Sequence, residues 1–375
     1  MSAALTEQIF AEIIAESGGR LYRVGGCVRD AFMGVTPKDI DFCVVGMVKK
    51  NFKALFPDAE EYGKSFPVFQ LLVDGRKCEV AFARTERKVG SGYKGFKVAS
   101  NPKVTIEEDL FRRDTTVNSM AVDSLSGKII DPFNGRQDLQ ARILRATSKH
   151  FSDDPMRALR LAGQSARLGF QIDGETLLLA SAVGAELTDE PVERTLSELT
   201  KVLTEAKEPS RFFKVLTAAK LLQITFPELA ALSEADLRTA MDRLDAVAEA
   251  VQDPALRFAV LGFSLDQAGM SLWNRRMTLP GEWLNSAITA GTVMKLLKKP
   301  TSSEAIADAI NILRRGSLRV EEFDVISQAA GLGIPALQPL KTAMADIVVP
   351  KDLKGREISE WLRQRQVEAI TNMLQ

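Results

Sequence analysis

Asp39 and Asp41 stand one residue apart in KDIDFCVV, residues 38–45, just ahead of an apolar run. Like charges this close repel, and neither is easily buried without a partner. In an extended chain, residues i and i+2 point to the same face, with Cα atoms roughly 6–7 Å apart at ~3.3 Å rise per residue. Two carboxylates so placed can share hard divalent cations such as Mg²⁺, which prefers oxygen ligands and often holds substrate phosphates too. A pair of such ions would clamp the attacking and leaving oxygens of a phosphoryl displacement.

The neighbourhood supplies the rest of a phosphate site. YRVGGCVRDAFMGVTPKDIDF, residues 22–42, reads as strand, Gly25-Gly26, helix, loop and then the carboxylate pair. Gly25 and Gly26 would let backbone N–H groups approach phosphate oxygens, and the following helix N-terminus would add positive potential. Arg29, one turn into that helix, would add a guanidinium fork. A lone Gly-Gly turn or a lone D-x-D is commonly structural, but their order and closeness here are specific. The turn at Gly25-Gly26 is not the G-x-G-x-x-G fingerprint, so a dinucleotide-binding Rossmann reading is rejected.

The elements that must position these residues fall into two regions. Up to about residue 140, short β-type runs such as LYRVGG, DFCVVG, FPVFQLLVD, KCEVAFAR, SMAVDSL and KIIDPF alternate with helical stretches. This pattern predicts a small mixed-sheet α+β head. Beyond it, a 3.6-residue period predicts helices to the C-terminus. Hydrophobic content is 45% and charged content 26% over 375 residues, as in ordinary globular chains. Lys+Arg equals Asp+Glu, so any nucleic-acid partner must meet a local basic patch. The three cysteines have no zinc-like spacing, and the only histidine is His150. The opening MSAALTEQIFAEII is acidic and no run is long enough to span a membrane, so a cytoplasmic protein with no membrane partner is expected.

GGCVRDAFMGVTPKDIDFCVVG resembles the first signature of class II tRNA nucleotidyltransferases, the CCA-adding enzymes, and of the related bacterial poly(A) polymerases. FRRDTTVNSMAVD, DPFNGRQDLQARILR and DDPMRALRLAGQSARLGF resemble the second, third and fourth, over roughly residues 20–170. Weaker likeness continues through EPSRFFKVLTAAKLLQITFPELAAL to the C-terminal LKGREISEWLRQRQ.

The resemblance implies a catalytic head over 1–140, a helical neck carrying a nucleotide-selecting motif over 141–232, and a helical tRNA-binding body and tail over 233–375. It implies transfer of C, C and A from CTP and ATP to the 3′ acceptor end of tRNA, with release of pyrophosphate. Asp39 and Asp41 would be the catalytic metal ligands, with Mg²⁺ as cofactor. Gly25, Gly26 and Arg29 would hold the triphosphate, Arg113 would reach phosphates, and Asp114 would accept from ribose hydroxyls. Asn118 would position Asp114 or the nucleotide. Glu79 would be an auxiliary carboxylate or half of a structural ion pair. The second motif departs from the usual pattern at Thr115 and Ser119, which predicts altered packing there.

Asp154 precedes Pro155, so it suits a helix N-cap, and Arg157 lies on the same face. By resemblance these two would template the base, and Arg160 would add a further nucleotide contact. Cytosine and adenine both present an amino donor beside a ring-nitrogen acceptor, which a carboxylate and a guanidinium match. Uracil and guanine reverse both. An N-cap with a surface ion pair is the plainer reading of the same residues.

ARTERKVGSGYKGFKV, residues 83–98, is a solvated hairpin or, by resemblance, the segment that helps switch from C to A addition, with Arg84 and Arg87 as auxiliary residues. It lacks the arginine-rich signature of a poly(A) polymerase, which favours CCA addition. Poly(A) addition, partial CC- or A-addition, and a non-catalytic RNA-binding protein are the alternatives. Phe263-Ser264 stands where relatives place a metal-binding His-Asp pair, so the C-terminal half reads as a degenerate, catalytically silent remnant of a phosphohydrolase region. Lys295, Lys298, Lys299, Arg314, Arg315 and Arg319 are candidate tRNA phosphate contacts. Oligomeric state is left open.

Overall fold

The computed structural model describes residues 5–63, 67–90, 95–297, 301–345 and 347–375. They divide into two compact units, one running to Ser165 with Gly169–Glu190, the other comprising Ala166–Leu168 and Pro191–Gln375. The division at Glu190 falls inside the stretch expected as neck.

The first unit is built on a mixed sheet. Its strands are β1 (Arg20–Val24), β2 (Asp41–Val45), β3 (Glu60–Tyr62), β4 (Val68–Val73) and β5 (Arg76–Phe82), with β8 (Ala121–Asp123) and β9 (Ile129–Ile130) at one edge. The spatial order is β3-β4-β5-β2-β1-β8-β9. Strand β2 runs parallel to β5 and antiparallel to β1. It is therefore central, and its sequence DFCVV is buried in the middle on both faces. Phe42 and Val44 point into one cluster with Phe10, Phe52, Phe56, Phe69 and Phe82, covered by α1 (Glu7–Glu16) and α3 (Lys49–Leu55). Cys43 points the other way, into a cluster with Tyr22, Val24, Leu110 and Ala121.

Helix α2 (Gly26–Phe32) follows β1 directly, and α4 (Ile106–Phe111) starts from a capping box between Thr105 and Glu108. Between β5 and α4 lies a separate two-stranded hairpin of β6 (Thr85–Lys88) and β7 (Phe96–Ala99), in the segment read from sequence as a hairpin or switching loop. Helices α5 (Gly135–Ala141) and α6 (Met156–Leu168) complete the parts that bear on the site.

The second unit is built of helices and their connections, with no strand among its described residues. Its longer helices include Val192–Glu205, Glu234–Ala250, Gly281–Leu296, Ser303–Arg315 and Arg356–Leu374. Phe226, Phe258, Trp273 and Trp283 form one aromatic core, with ring centroids 5.2–5.6 Å apart. Arg257 is buried, and its guanidinium donates to the carbonyls of Leu203, Ala206, Ala248 and Val251, the open ends of two helices. Phe263, where relatives were expected to place a histidine, packs edge-on against Phe323 at 6.1 Å.

Two backbones touch inside this unit. A Cβ on Gly262 would stand 2.0 Å from the Ala287 carbonyl oxygen, and one on Gly291 would stand 2.4 Å from the Gly262 carbonyl oxygen. Neither oxygen belongs to a side chain that can turn away. Gly262→Ala and Gly291→Ala should each destabilise the second unit by more than ~2 kcal/mol, because backbone must move to admit one methyl. A thermal melt that matches wild type for either variant would show that the helices separate easily.

Candidate active site

The site starts where the sheet ends. Asp41 is the first residue of β2, while Asp39 lies two residues earlier in an exposed bend. In the parallel ladder Asp41 sits opposite Glu79 on β5, and Glu79 has no ion-pair partner among the described residues. Burial, the Glu79 charge and then Asp39 push the Asp41 carboxyl up to about 6, and Arg113 opposes them. This is a set of hard oxygen donors whose mutual repulsion a cation would relieve, which fits a divalent metal such as Mg²⁺. Among the described residues no three His, Cys, Asp or Glu side chains converge on one metal position. A cation here would complete its shell from substrate oxygens and water.

Gly25 is the N-cap of α2, with φ at +75°, and its N–H donates to the Met120 carbonyl at 3.3 Å. A Cβ at Gly25 would lie 2.9 Å from Arg113 Nη1. The backbone angle favours glycine, and a side chain here would also push the Arg113 guanidinium aside. At Gly26 a Cβ would lie 3.5 Å from Arg29 Nη2, an ordinary contact. Arg29 is held by Asp30, at 2.6 and 2.9 Å, and donates through Nη1 to Asn118 Oδ1 at 2.7 Å.

Asn118 passes the connection on, donating to Asp114 Oδ1 at 3.2 Å. Asp114 also accepts from the Thr115 N–H at 2.7 Å, Gln164 Nε2 at 3.0 Å and Arg160 Nε at 3.4 Å. Burial raises its pKa, but Arg160 and these donors outweigh it and hold the carboxyl below its ordinary value. Both oxygens are thus taken, so a ribose hydroxyl would reach Asp114 by displacing a donor, the Arg160 contact being the longest. Thr115 and Ser119, the departures in the second motif, form a buried polar network. Thr115 Oγ1 donates to Gln164 Oε1 at 2.8 Å, and Ser119 Oγ bonds Thr147 Oγ1 at 2.6 Å.

Asp154 has extended backbone and accepts from the Met156 N–H at 3.0 Å, so it caps α6 as its place before Pro155 predicts. Arg160 bridges Asp154 Oδ2, at 2.9 Å, to Asp114. Arg157 is turned elsewhere. Its Nη1 donates to the His150 carbonyl at 2.5 Å, and Nη2 lies 3.6 Å from Glu86 Oε2. Its Nε is buried with no hydrogen-bond partner. The surface ion pair between Asp154 and Arg157, the plainer reading, is replaced by these contacts.

Three organising residues escaped the sequence reading. Asp109 is fully buried and holds Arg112 and Arg113 on its two oxygens, at 2.6 and 3.0 Å, and accepts from the Arg84 N–H at 3.2 Å. Its i,i+3 and i,i+4 spacing to two arginines was the available signal. Gln164, one helical turn beyond Arg160, had only that spacing. Glu86, between two arginines in the hairpin, had none. It takes Arg84 Nε and Arg112 Nη1, each at 3.0 Å. Arg87 is exposed on β6. Of the candidate phosphate contacts, Lys295, Arg314 and Arg315 are exposed, Arg319 is exposed but donates to Glu322 at 2.8 Å, and Lys298 and Lys299 lie outside the described residues.

Two outcomes are expected of the apo protein. The raised Asp41 pKa means that its stability contribution is complete below the ordinary value of 3.8 and is lost as pH rises through about 6. With a chelator present, Asp41→Asn should therefore melt higher than wild type at pH 7.5, by on the order of 2 kcal/mol, and the gap should close near pH 4. A variant no more stable at pH 7.5 would remove the repulsion argument. Asp109→Asn should cost about 3–5 kcal/mol, since two guanidinium groups lose a buried counter-charge. Chemical denaturation at neutral pH reads this directly, and a loss under 1 kcal/mol would show the arginines finding other partners.

Comparison with known proteins covers most of the chain. A family model described as the poly A polymerase head domain matches residues 21–145, and one described as a probable RNA and SrmB-binding site of polymerase A matches 169–232. A CCA-adding enzyme of Pseudomonas putida (strain W619) is 36% identical, covering 94% of this chain and 97% of that protein. A multifunctional CCA protein of Hahella chejuensis is 46% identical over 56% of this chain and 50% of its own length. Among solved structures, a CCA-adding enzyme in complex with ATP superposes with TM-score 0.72 at 22% identity, covering 97% of this chain and 89% of that one. The Thermotoga maritima CCA-adding enzyme complexed with tRNA_CCA gives 0.70 at 20%, over 98% and 95%, and these two establish the shared fold. The near full-length identity to curated relatives shows that the chain belongs to the CCA-adding enzyme family, whose head domain is that of the poly A polymerases.

Proposed function

We propose that this chain adds C, C and A to the 3′ end of tRNA without a nucleic-acid template, using CTP and ATP. Its relatives of like length are CCA-adding enzymes, and solved members of the family hold ATP, CTP and tRNA_CCA, which favours this reading over poly(A) addition. The observation that carries it is the placement of Arg113. Held by Asp109, this guanidinium stands against Gly25 and is electrostatically coupled to Asp41, so it faces the point where a triphosphate would meet the carboxylate pair.

Asp39 and Asp41 are the ligands for a divalent cation, Mg²⁺ in this proposal, which supplies Lewis-acid charge for displacement at phosphorus. Gly25 leaves backbone room for phosphate oxygens, and Arg29 and Arg113 neutralise the triphosphate. The 3′-hydroxyl of the RNA gives up its proton to solvent as its oxygen attacks the α-phosphorus, the bond from that phosphorus to the bridging oxygen of the β-phosphate breaks, and pyrophosphate departs. Asp154 accepts from the exocyclic amino group of cytosine or adenine, and Arg157 donates to the adjacent ring nitrogen. The buried, unpartnered Nε of Arg157 suits that task, because a buried donor without an acceptor is costly until a ligand supplies one. Uracil or guanine would set N–H against the guanidinium and carbonyl against the carboxylate.

The test is to offer each NTP singly and together, with Mg²⁺, to tRNAs ending before, within and after CCA, and to sequence the products. Asp39→Ala and Asp41→Ala should each abolish incorporation in a folded protein. Arg157→Ala and Asp154→Ala should lower the preference for CTP and ATP over UTP and GTP on the order of 10²-fold. Wild-type turnover in either carboxylate variant would remove the metal assignment. Unchanged selectivity with a lowered melting temperature would reduce Asp154 and Arg157 to a cap and a structural contact.

A further inference from the structure

Helix α2 ends in an apolar run that the fold leaves in water. Phe32, Met33 and Val35 are 38%, 38% and 53% exposed. The run is held in place by its backbone. Gly34, at φ +71°, donates to the Ala31 carbonyl at 3.1 Å, and the Val35 N–H donates to the Asp30 carbonyl at 2.9 Å. In a helix ending closed this way, the side chain at the Val35 position ordinarily packs on the one at the Asp30 position. Here that side chain is a carboxylate engaged by Arg29 at 2.6 Å, so Val35 finds no apolar partner there. Adjacent apolar side chains fixed on the surface mark an interaction site.

The neighbouring helix says what kind. Arg136, exposed near the start of α5, lies over the Phe32 ring at 5.3 Å from its centroid, and it has no carboxylate partner among the described residues. The acids closest to it in the chain are already engaged. Asp131 accepts from the Gly135 and Arg136 N–H groups at 2.6 and 3.0 Å, and Asp138 takes Arg145 at 3.2 Å. Between the two helices runs an open groove of about 560 Å³, lined by Phe32, Met33, Arg136, Gln137, Leu139 and Gln140. It offers an aromatic face, a cation and two side-chain amides, and no acid. That set matches flat bases strung on a polyanion. An apolar helix or a second copy of this chain would bury the Arg136 charge without a counter-charge.

Position supports the same occupant. Helix α2 has seven residues, so roughly 10 Å separates this groove from the Gly25 end, where the triphosphate is proposed to sit. Val35 is four residues before Asp39, so no more than roughly 14 Å of chain separates the apolar run from the carboxylate pair. We propose that the end of α2 and the start of α5 form a stacking platform for the unpaired 3′-terminal nucleotides of the RNA, an inference that rests on the CCA-addition reading. Phe32 takes a base face, Met33 and Val35 extend the apolar floor, and Arg136 meets a phosphate. Gln137 and Gln140 can each donate and accept, so they suit any base. A platform of this kind tolerates an end whose sequence changes with every addition.

The test uses the full chain and a tRNA ending before CCA, with 2-aminopurine, whose fluorescence stacking quenches, as its last nucleotide. Quenching on binding is measured beside KM for tRNA and for CTP. Phe32→Ala and Arg136→Ala should each raise KM for tRNA roughly 10-fold and weaken the quenching, with KM for CTP and base preference unchanged. Phe32→Trp should behave as wild type. Phe32→Leu, which keeps apolar area without an aromatic face, should behave as Phe32→Ala, and it carries the test if the alanine variant melts low. The Phe32→Ala/Arg136→Ala double variant should lose less than the two single losses combined, because the side chains are stacked. Wild-type KM for tRNA and quenching in Phe32→Leu and Arg136→Ala would overturn the proposal. So would a change of sedimentation in these variants with KM for tRNA retained, which would assign the surface to a second copy. If the wild type extends no tRNA, the CCA-addition reading fails, and the quenching still decides the platform. If it extends tRNA and the platform variants are silent, the platform alone fails.

Discussion

A single buried carboxylate sets the geometry of the first unit. Asp109 has no exposed surface, and an isolated charge in that position would be forced to neutralise. Instead it stays ionised. Burial pushes its pKa up, but Arg112 and Arg113 pull it back below the ordinary value. The cost of enclosing the charge is offset only while both guanidinium groups and the Arg84 amide keep their places. That requirement locks the end of α4, the start of the hairpin and the loop leading to Asp114 into one arrangement.

From Asp109 two lines of alternating charge run outward. One passes through Arg113 to Gly25 and Asp41, the end proposed for triphosphate and metal. The other passes through Arg112 and Glu86 to Arg157, the end proposed for the base. A third group, Arg29–Asn118–Asp114–Arg160–Asp154, joins the same two ends by a different route. The consequence is mutual dependence. A substitution at one link alters the orientation of its neighbours, so effects on phosphate binding and base selection should be coupled rather than additive.

Much of this was legible in the sequence, and the boundary is physical. Strand β2 was visible because a four-residue apolar run follows a carboxylate pair, and the cap on α6 because Asp154 precedes proline. The short strand Glu60–Tyr62 was not, since all three residues are exposed and carry no hydrophobic alternation. Partner choice among charged residues was the least legible. Arg157 is three residues from Asp154 yet turns to Glu86, some seventy positions away in the chain. Helical spacing says which side chains can meet, whereas the competing acid is supplied by a hairpin that packs alongside. Local acid–arginine spacing was the signal that could have marked Asp109, whose partners Arg112 and Arg113 lie three and four residues on, but it escaped the reading.

The same pairing explains how a chain with formal net charge of zero can handle polyanions. Attraction from net charge is not available, so the work falls to guanidinium groups placed in advance. Arg29, Arg113, Arg157 and Arg160 each already have a carboxylate or amide-oxygen partner. Such pairing lowers the field each arginine projects, which is a loss in long-range steering. It also removes most of the rotamer freedom that a long side chain would otherwise forfeit on binding. If the proposed base site accepts two different bases with one set of groups, fixed donors and acceptors matter more than strong ones. A flexible arginine would adjust to uracil or guanine as readily as to cytosine or adenine, whereas a held one leaves the wrong base with unmatched, enclosed hydrogen-bonding groups.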